Sequence, residues 1–227
     1  MKTPITNHQS RITNYDFMII HFDTIDSTHK YMINTIKEGT VSSPVLVYAD
    51  EQSNGVGSRG NSWIGEKGNL FLSFCVDLKQ LPKDLPTQSI SIYFAYILKD
   101  ILARKGSKIW LKWPNDFYLN DKKIGGVISL KLNDNIVCSI GLNIVVSPSN
   151  FGKLDITIQR DELIYEFIKK VKKNFSWKQV FSKYKVEFQK AKKFYFHLDD
   201  ELVSLSKATL NQDGSITINN KIVFSSR

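Results

Sequence analysis

Two short stretches hold residue types that could do chemistry. In residues 54–63, N-G-V-G-S-R-G-N-S-W, Gly55, Gly57 and Gly60 surround Arg59, and Trp63 closes the run. Glycine lets backbone N–H groups approach an anion, and a guanidinium fork pairs with phosphate or carboxylate. The indole of Trp63 offers a flat face to a ring. In residues 111–126, Lys112, Asn115, Asp116, Lys122 and Lys123 crowd between apolar runs, and Gly125 and Gly126 stand where the second run resumes. Pro114 breaks a regular ladder there, and glycine within a strand marks close approach of a ligand. Fixed cations, amide donors and one carboxylate suit the handling of phosphate or carboxylate oxygens. Taken alone, each stretch also fits a bland reading, an ordinary hairpin loop for the first and a solvated hairpin tip for the second.

The elements that must position these residues decide one question at once. The 55, 57, 60 spacing is G-x-G-x-x-G, which holds a dinucleotide when a strand precedes it and a helix follows. Residues 44–50 do read as a strand. Downstream there is no 3.6-residue apolar period, and residues 70–78 read as a second strand. The loop therefore joins strand to strand, which disfavours a dinucleotide cradle. Elsewhere, 18–25 reads as a strand, and a helix follows with Asp26, Ser27 and Thr28 as capping candidates and Gly39 as its stop. Residues 87–106 read as a buried helix. Residues 107–146 read as three or four strands, with hairpin turns at Asn120–Asp121 and Asn133–Asp134. Residues 160–175 and 176–191 are helical, and from 192 short alternating runs turn at Asp213–Gly214 and Asn219–Asn220. This order predicts an α+β fold: a mixed β-sheet with helices packed on one side and a small C-terminal β-module. The expected organisation is a flexible N-terminal extension over 1–16, a catalytic domain over 17–191 and the β-module over 192–227.

Composition narrows the class. The chain has 227 residues, 42% hydrophobic and 23% charged, as in ordinary globular proteins. No apolar run approaches the ~20 residues that span a bilayer, and the polar N-terminus lacks the core of a secretory signal. Cys75 and Cys138 sit in apolar runs and read as core residues in a reducing compartment, so a cytoplasmic location is expected. The four histidines have no zinc-ligand spacing. The net charge is +9, and much of it lies in 167–194. That stretch is either a solvated helical face or a surface for an acidic partner.

Taken together in order, the motifs resemble those of the biotin protein ligases. The pattern begins with D-S-T at Asp26, Ser27 and Thr28. It continues with Gln52 and a glycine loop matched in part by Gly55, Gly57, Gly60 and Trp63, then K-W-P-N-D at residues 112–116. Lys123 with Gly125 and Gly126 supplies the K-x-x-G element, and Gly141 with Asn143 the G-x-N element. The agreement covers roughly residues 18–146, and the closing β-module resembles the family's SH3-like C-terminal domain by texture and position.

The resemblance implies two steps: biotin and ATP form biotinyl-5′-AMP and pyrophosphate, then a lysine of a biotin carboxyl carrier protein takes the biotin. It implies that Lys123 bridges the biotin carboxylate and the α-phosphate. Asp116 would ligate Mg²⁺ or orient Lys123 or Lys112, two roles the sequence leaves open. Ser27, Thr28 and Gln52 would line the biotin pocket, Trp63 and Asn143 would meet adenine or ribose, and the loop would close as a lid. Gly55, Gly57, Lys112, Asn115, Gly125 and Gly126 complete the expected binding set. The loop departs from the family at Val56 and Ser58, where arginine is usual, so Arg59 is expected to take over the anion contact or the adenylate is held less tightly. His29 stands where asparagine is common.

The competing readings are a lipoate or octanoate ligase or transferase of the same fold, and a non-enzymatic nucleic-acid-binding module. About 16 polar residues before the first strand are too few for a helix-turn-helix. A monofunctional ligase without specific DNA binding or membrane association is therefore expected, as monomer or homodimer.

Overall fold

The apolar run from Met18 forms strand β1 (Met18–Ile25), and Ser27 then caps helix α1 (Thr28–Lys37) by accepting from the Lys30 amide. Gly39, at φ +67°, takes the left-handed turn that ends it. The chain returns as β2 (Val45–Val56), parallel to β1, and reverses through β3 (Ser62–Gly65) and β4 (Leu70–Asp77). The glycine loop thus joins two antiparallel strands, as its flanks imply. Helix α2 (Ile90–Arg104) precedes β5 (Trp110–Lys112), β6 (Asp116–Leu119), β7 (Lys122–Leu132) and β8 (Asn135–Leu142). Asn120 and Asn133, at φ 49° and 53°, supply the left-handed residue that the two-residue hairpin turns β6–β7 and β7–β8 require.

This computed structural model describes residues 17–57, 62–198 and 201–224. The extension expected over 1–16, and Ser58, Arg59 and Gly60 of the loop, lie outside the described residues.

The main sheet runs β1-β2-β4-β8-β7-β6-β5, with β3 off the path against β2. β4 sits between β2 and β8, and LFLSFCV is buried throughout. A strand covered on both faces reads as a continuous apolar run. Successive residues face opposite sides: Val45, Val47, Cys75 and Val137 pack with Met32 of α1, while Leu46, Phe74 and Cys138 belong to the cluster around α2. Helices α3 (Arg160–Val171) and α4 (Trp177–Ala191) join α2 on that second face, through Phe167 against Phe74 and Phe94, and Lys99 against Glu187. Three helices therefore share one side, as expected, and α1 covers the other. Both sets of β2 side chains are apolar, so both faces need a cover.

The C-terminal stretch forms two small antiparallel sheets, β9 (Tyr195–Leu198) with β10 (Glu201–Ser204), and β11 (Thr209–Leu210), β12 (Ile216–Ile218) and β13 (Lys221–Val223). Phe196, Leu205, Ile216 and Val223 belong to the same buried cluster as α2. Trp113 Nε1 donates to the Gly214 carbonyl at 3.0 Å, and Tyr184 Oη donates to the Pro114 carbonyl at 2.7 Å. The tryptophan of K-W-P-N-D is thus a fully buried anchor between the main sheet and the C-terminal strands. Both cysteines are buried and unpaired, and burial pushes the Cys75 thiol up to about 12. No helix among the described residues is long and apolar enough to cross a membrane.

Candidate active site

A recess opens on the α1 face of the sheet, with about 510 Å³ of space counting its open mouth. Its floor is β7 and β8 where Gly126 pairs with Gly141 and Ile128 with Ser139. The N-terminus of α1 supplies Ser27, Thr28 and His29, and the end of β2 supplies Gln52.

At the rim, Lys123 Nζ lies 2.7 Å from Asp116 Oδ1, and both side chains are about a quarter exposed (28% and 25%). A bulge between Phe117 and Tyr118 shifts the β6–β7 register, so that Asp116 sits opposite Gly126 while Lys123 sits opposite Tyr118. Gly126 leaves the space this pair occupies: a Cβ there would come within 3.0 Å of Asp116 Oδ1 and 3.8 Å of Lys123 Cε. Gly125 answers a different demand, because its Cβ would meet the Gly141 carbonyl oxygen at 2.4 Å. Asn115 lines the recess and braces β7, its Nδ2 donating to the Val127 carbonyl and its own carbonyl accepting from Val127 N at 3.1 Å.

The inner end is a chain of hydrogen bonds drawn from four elements. Gln52 Oε1 accepts from Thr28 N at 2.8 Å and Thr28 Oγ1 at 2.9 Å. Ser73 Oγ donates to Thr28 Oγ1 at 2.9 Å and meets Ser139 Oγ at 2.7 Å, and Ser139 Oγ meets His29 Nδ1 at 2.7 Å. Gln52 reaches this position through a bulge in β2 between Gln52 and Gly55. Gly55 and Gly65 make that approach, for a Cβ on either would come within 2.7 Å of Gln52 atoms. Burial lowers the pKa of His29.

Trp63 covers the floor. Its Cε2 and Nε1 lie 3.0 Å from where a Gly141 Cβ would stand, and its ring meets Phe151 edge-on at 5.7 Å. Its Nε1 is a buried donor with no hydrogen-bond partner among the described residues. Gly57 also lines the recess; Arg59 lies outside the described residues.

Four expected residues are not on this wall, one of them Gly55, which makes room for Gln52. Asn143, expected beside adenine or ribose, is 1% exposed, and its Nδ2 donates to the Gly152 carbonyl at 3.0 Å. With Gly152 N bonding the Lys123 carbonyl at 2.8 Å, it straps the 148–154 loop to the start of β7. Lys112 turns its ammonium toward Tyr118 Oη at 3.2 Å and the rings of Tyr118 and Phe194. Burial lowers its pKa against the opposing pull of Asp116. Gly125 faces the neighbouring backbone, as above. Conversely, Ser73, Ser139 and Phe151 escape the motif reading, and His29 enters it only as a departure from the usual asparagine, with no role. The two serines did leave a trace, as lone polar residues inside apolar strand runs.

Comparisons with known proteins agree with this architecture. The model of the Biotin/lipoate A/B protein ligase family matches residues 21–144. The bifunctional ligase/repressor BirA of Escherichia coli is 33% identical over 129 residues, 54% of this chain and 39% of that protein. Biotin–protein ligase 2 of Arabidopsis thaliana is 28% identical over 176 residues, 66% of this chain and 50% of that protein. The chain thus spans half or less of the length of these curated relatives. The crystal structure of biotin acetyl coenzyme A carboxylase synthetase from Helicobacter pylori, with bound biotinylated ATP, superposes with a TM-score of 0.87 at 42% identity. The match covers 91% of this chain and 98% of that one. A biotin protein ligase from Aquifex aeolicus shares the fold, with a TM-score of 0.72 at 22% identity over 91% of this chain and 94% of that one.

Proposed function

Because this chain belongs to the biotin/lipoate A/B protein ligase family, we propose that it is a biotin protein ligase. It joins the biotin carboxylate to the α-phosphorus of ATP, with pyrophosphate leaving, and passes the biotinyl group to a lysine amine of a biotin carboxyl carrier protein, with AMP leaving.

The observation that carries this reading is the Lys123–Asp116 pair at the mouth of a recess whose inner end is a hydrogen-bonded polar wall. A carboxylate attacking a phosphate brings two anions together, and a fixed ammonium between them lowers the cost of that approach. Asp116 holds the ammonium in place, a role that favours orientation of Lys123 over Lys112. The inner wall of Ser27, Thr28 and Gln52 takes the ring system of biotin. Trp63 closes on the nucleotide side with Gly55 and Gly57 behind it, and Arg59 is the candidate for the phosphate contact that the missing arginines leave. Asn143 acts by holding the 148–154 loop against β7.

Mg²⁺ fits modestly. The recess lining offers one carboxylate, Asp116, with one oxygen on Lys123 and a second left for a metal held mainly by the triphosphate. When bound, the ion would offset triphosphate charge.

ATP–pyrophosphate exchange with biotin, lipoate and octanoate, followed by mass measurement of a biotin carboxyl carrier domain, tests the proposal. Exchange with biotin and a single biotinyl addition are expected. Exchange with lipoate or octanoate in its place would refute it.

A further inference from the structure

The inner wall has a proton direction, and that direction fixes what His29 offers a ligand. A backbone amide can only donate, so the atom of Gln52 that meets Thr28 N at 2.8 Å is its carbonyl oxygen. Thr28 Oγ1 then gives its single proton to the same oxygen. Ser73 must donate to Thr28 Oγ1, which leaves it no proton for Ser139. Ser139 must therefore donate to Ser73, and has none left for His29. His29 Nδ1 must carry the proton that closes the chain at 2.7 Å. In a neutral imidazole the other nitrogen is then a bare acceptor.

That nitrogen is available. His29 lines the recess, its Nε2 has no hydrogen-bond partner among the described residues, and it is not among the sealed, unpartnered polar atoms. Burial lowers the proton affinity of the ring, which favours the neutral form. The position along the sheet also fits. The Lys123–Asp116 pair crowds Gly126, which is opposite Gly141, and Ser139 lies two residues back along β8, about 7 Å at the rise of a strand. A small acid with its carboxylate at Lys123 would carry its other end to the wall that holds His29.

We propose that His29, locked as the Nδ1–H tautomer by the Gln52–Thr28–Ser73–Ser139 chain, is a specificity residue whose Nε2 accepts a hydrogen bond from an N–H of the ligand's ring. This rests on the biotin reading of the site, since the ureido ring of biotin carries two N–H donors. A dithiolane or an alkyl chain carries none, so this contact separates biotin from lipoate and octanoate. Ser73 and Ser139 are positioning residues that act through His29.

The tautomer can be read without any variant. In ligand-free protein carrying ¹⁵N-histidine at neutral pH, long-range ¹H–¹⁵N correlation should find His29 protonated at Nδ1 and bare at Nε2. Saturating biotin should move the Nε2 resonance toward a hydrogen-bonded value. A His29 protonated at Nε2, or an Nε2 signal that biotin leaves unmoved, overturns the inference. Calorimetry on His29→Phe should show biotin binding weakened about tenfold, the size of one lost neutral hydrogen bond, with the weaker affinity for lipoate unchanged. Undiminished biotin affinity in that variant also overturns it. Failure of the wild-type protein to bind biotin would instead remove the functional reading of the site, while the tautomer measured without ligand is judged separately.

Discussion

Lys123 and Asp116 meet at 2.7 Å across the β6–β7 hairpin, with Gly126 beneath them leaving the room that a side chain would take. The pair is partly exposed, so it adds little to stability, about 0–1 kcal/mol. Its value lies in where it puts a cation. Lys123→Ala should lower biotin-dependent pyrophosphate exchange by about 10³-fold, on the scale of removing a group that stabilises developing charge. The thermal midpoint should hardly move. Exchange close to wild type would mean that this ammonium does not meet the reacting oxygens.

The two neighbouring glycines should fail differently. Gly126→Ala presses on Asp116 Oδ1, a side-chain atom that can give way, so exchange activity should fall while the fold persists. Gly125→Ala drives a methyl into the Gly141 carbonyl oxygen, which the β7–β8 ladder fixes. Its main effect should be lost stability, about 1–3 kcal/mol by the cost of overpacking. Urea unfolding of both variants beside their exchange rates checks this; equal stability in the two would contradict it.

Glu187 is 3% exposed and joins three elements, taking Lys99 of α2 at 2.8 Å and the Leu111 amide of β5 at 3.0 Å from its place on α4. Removing one partner of such a pair strands the other charge, so Glu187→Ala should cost about 3–5 kcal/mol. Chemical denaturation measures it. A loss under about 1 kcal/mol would show that Lys99 finds water instead.

Acid should weaken the β1–β2–α3 junction. Burial alone would raise the Asp50 pKa, but hydrogen bonds from His21 and Arg160 overcome it and lower the value. A carboxyl with a depressed folded pKa stabilises fully above its unfolded value, about 3.9, and loses that contribution as pH falls through the folded value. Stability should therefore drop more between about pH 5 and 2 in the wild type than in Asp50→Asn. Parallel acid limbs in the two proteins would argue against the assignment.

If the basic α3–α4 region attracts an acidic carrier, added salt should slow transfer to the carrier more than adenylate formation, because screening acts on separated surface charges. Rates of the two steps at low and high ionic strength give the answer. Equal slowing removes the region from carrier recognition.

Much of this molecule is local, and local features are written along the chain. The asparagine–aspartate turns at 120–121 and 133–134, the caps of α1, the strand-to-strand course of the glycine loop and the cluster that includes Lys123 and Asp116 all follow from neighbours a few residues apart. Other features depend on which strands become neighbours and which way each residue points. His29, Ser73 and Ser139 meet across separations of 66 and 110 residues, because β4 inserts between β2 and β8. Bulges at Gln52–Gly55 and Phe117–Tyr118 re-aim side chains by breaking the two-residue alternation. The same dependence turns Lys112 toward aromatic rings and folds Asn143 under the 148–154 loop. A linear chain records residue types and short spacings; the direction of a side chain and the identity of a partner 100 residues away are set only when the sheet closes its register.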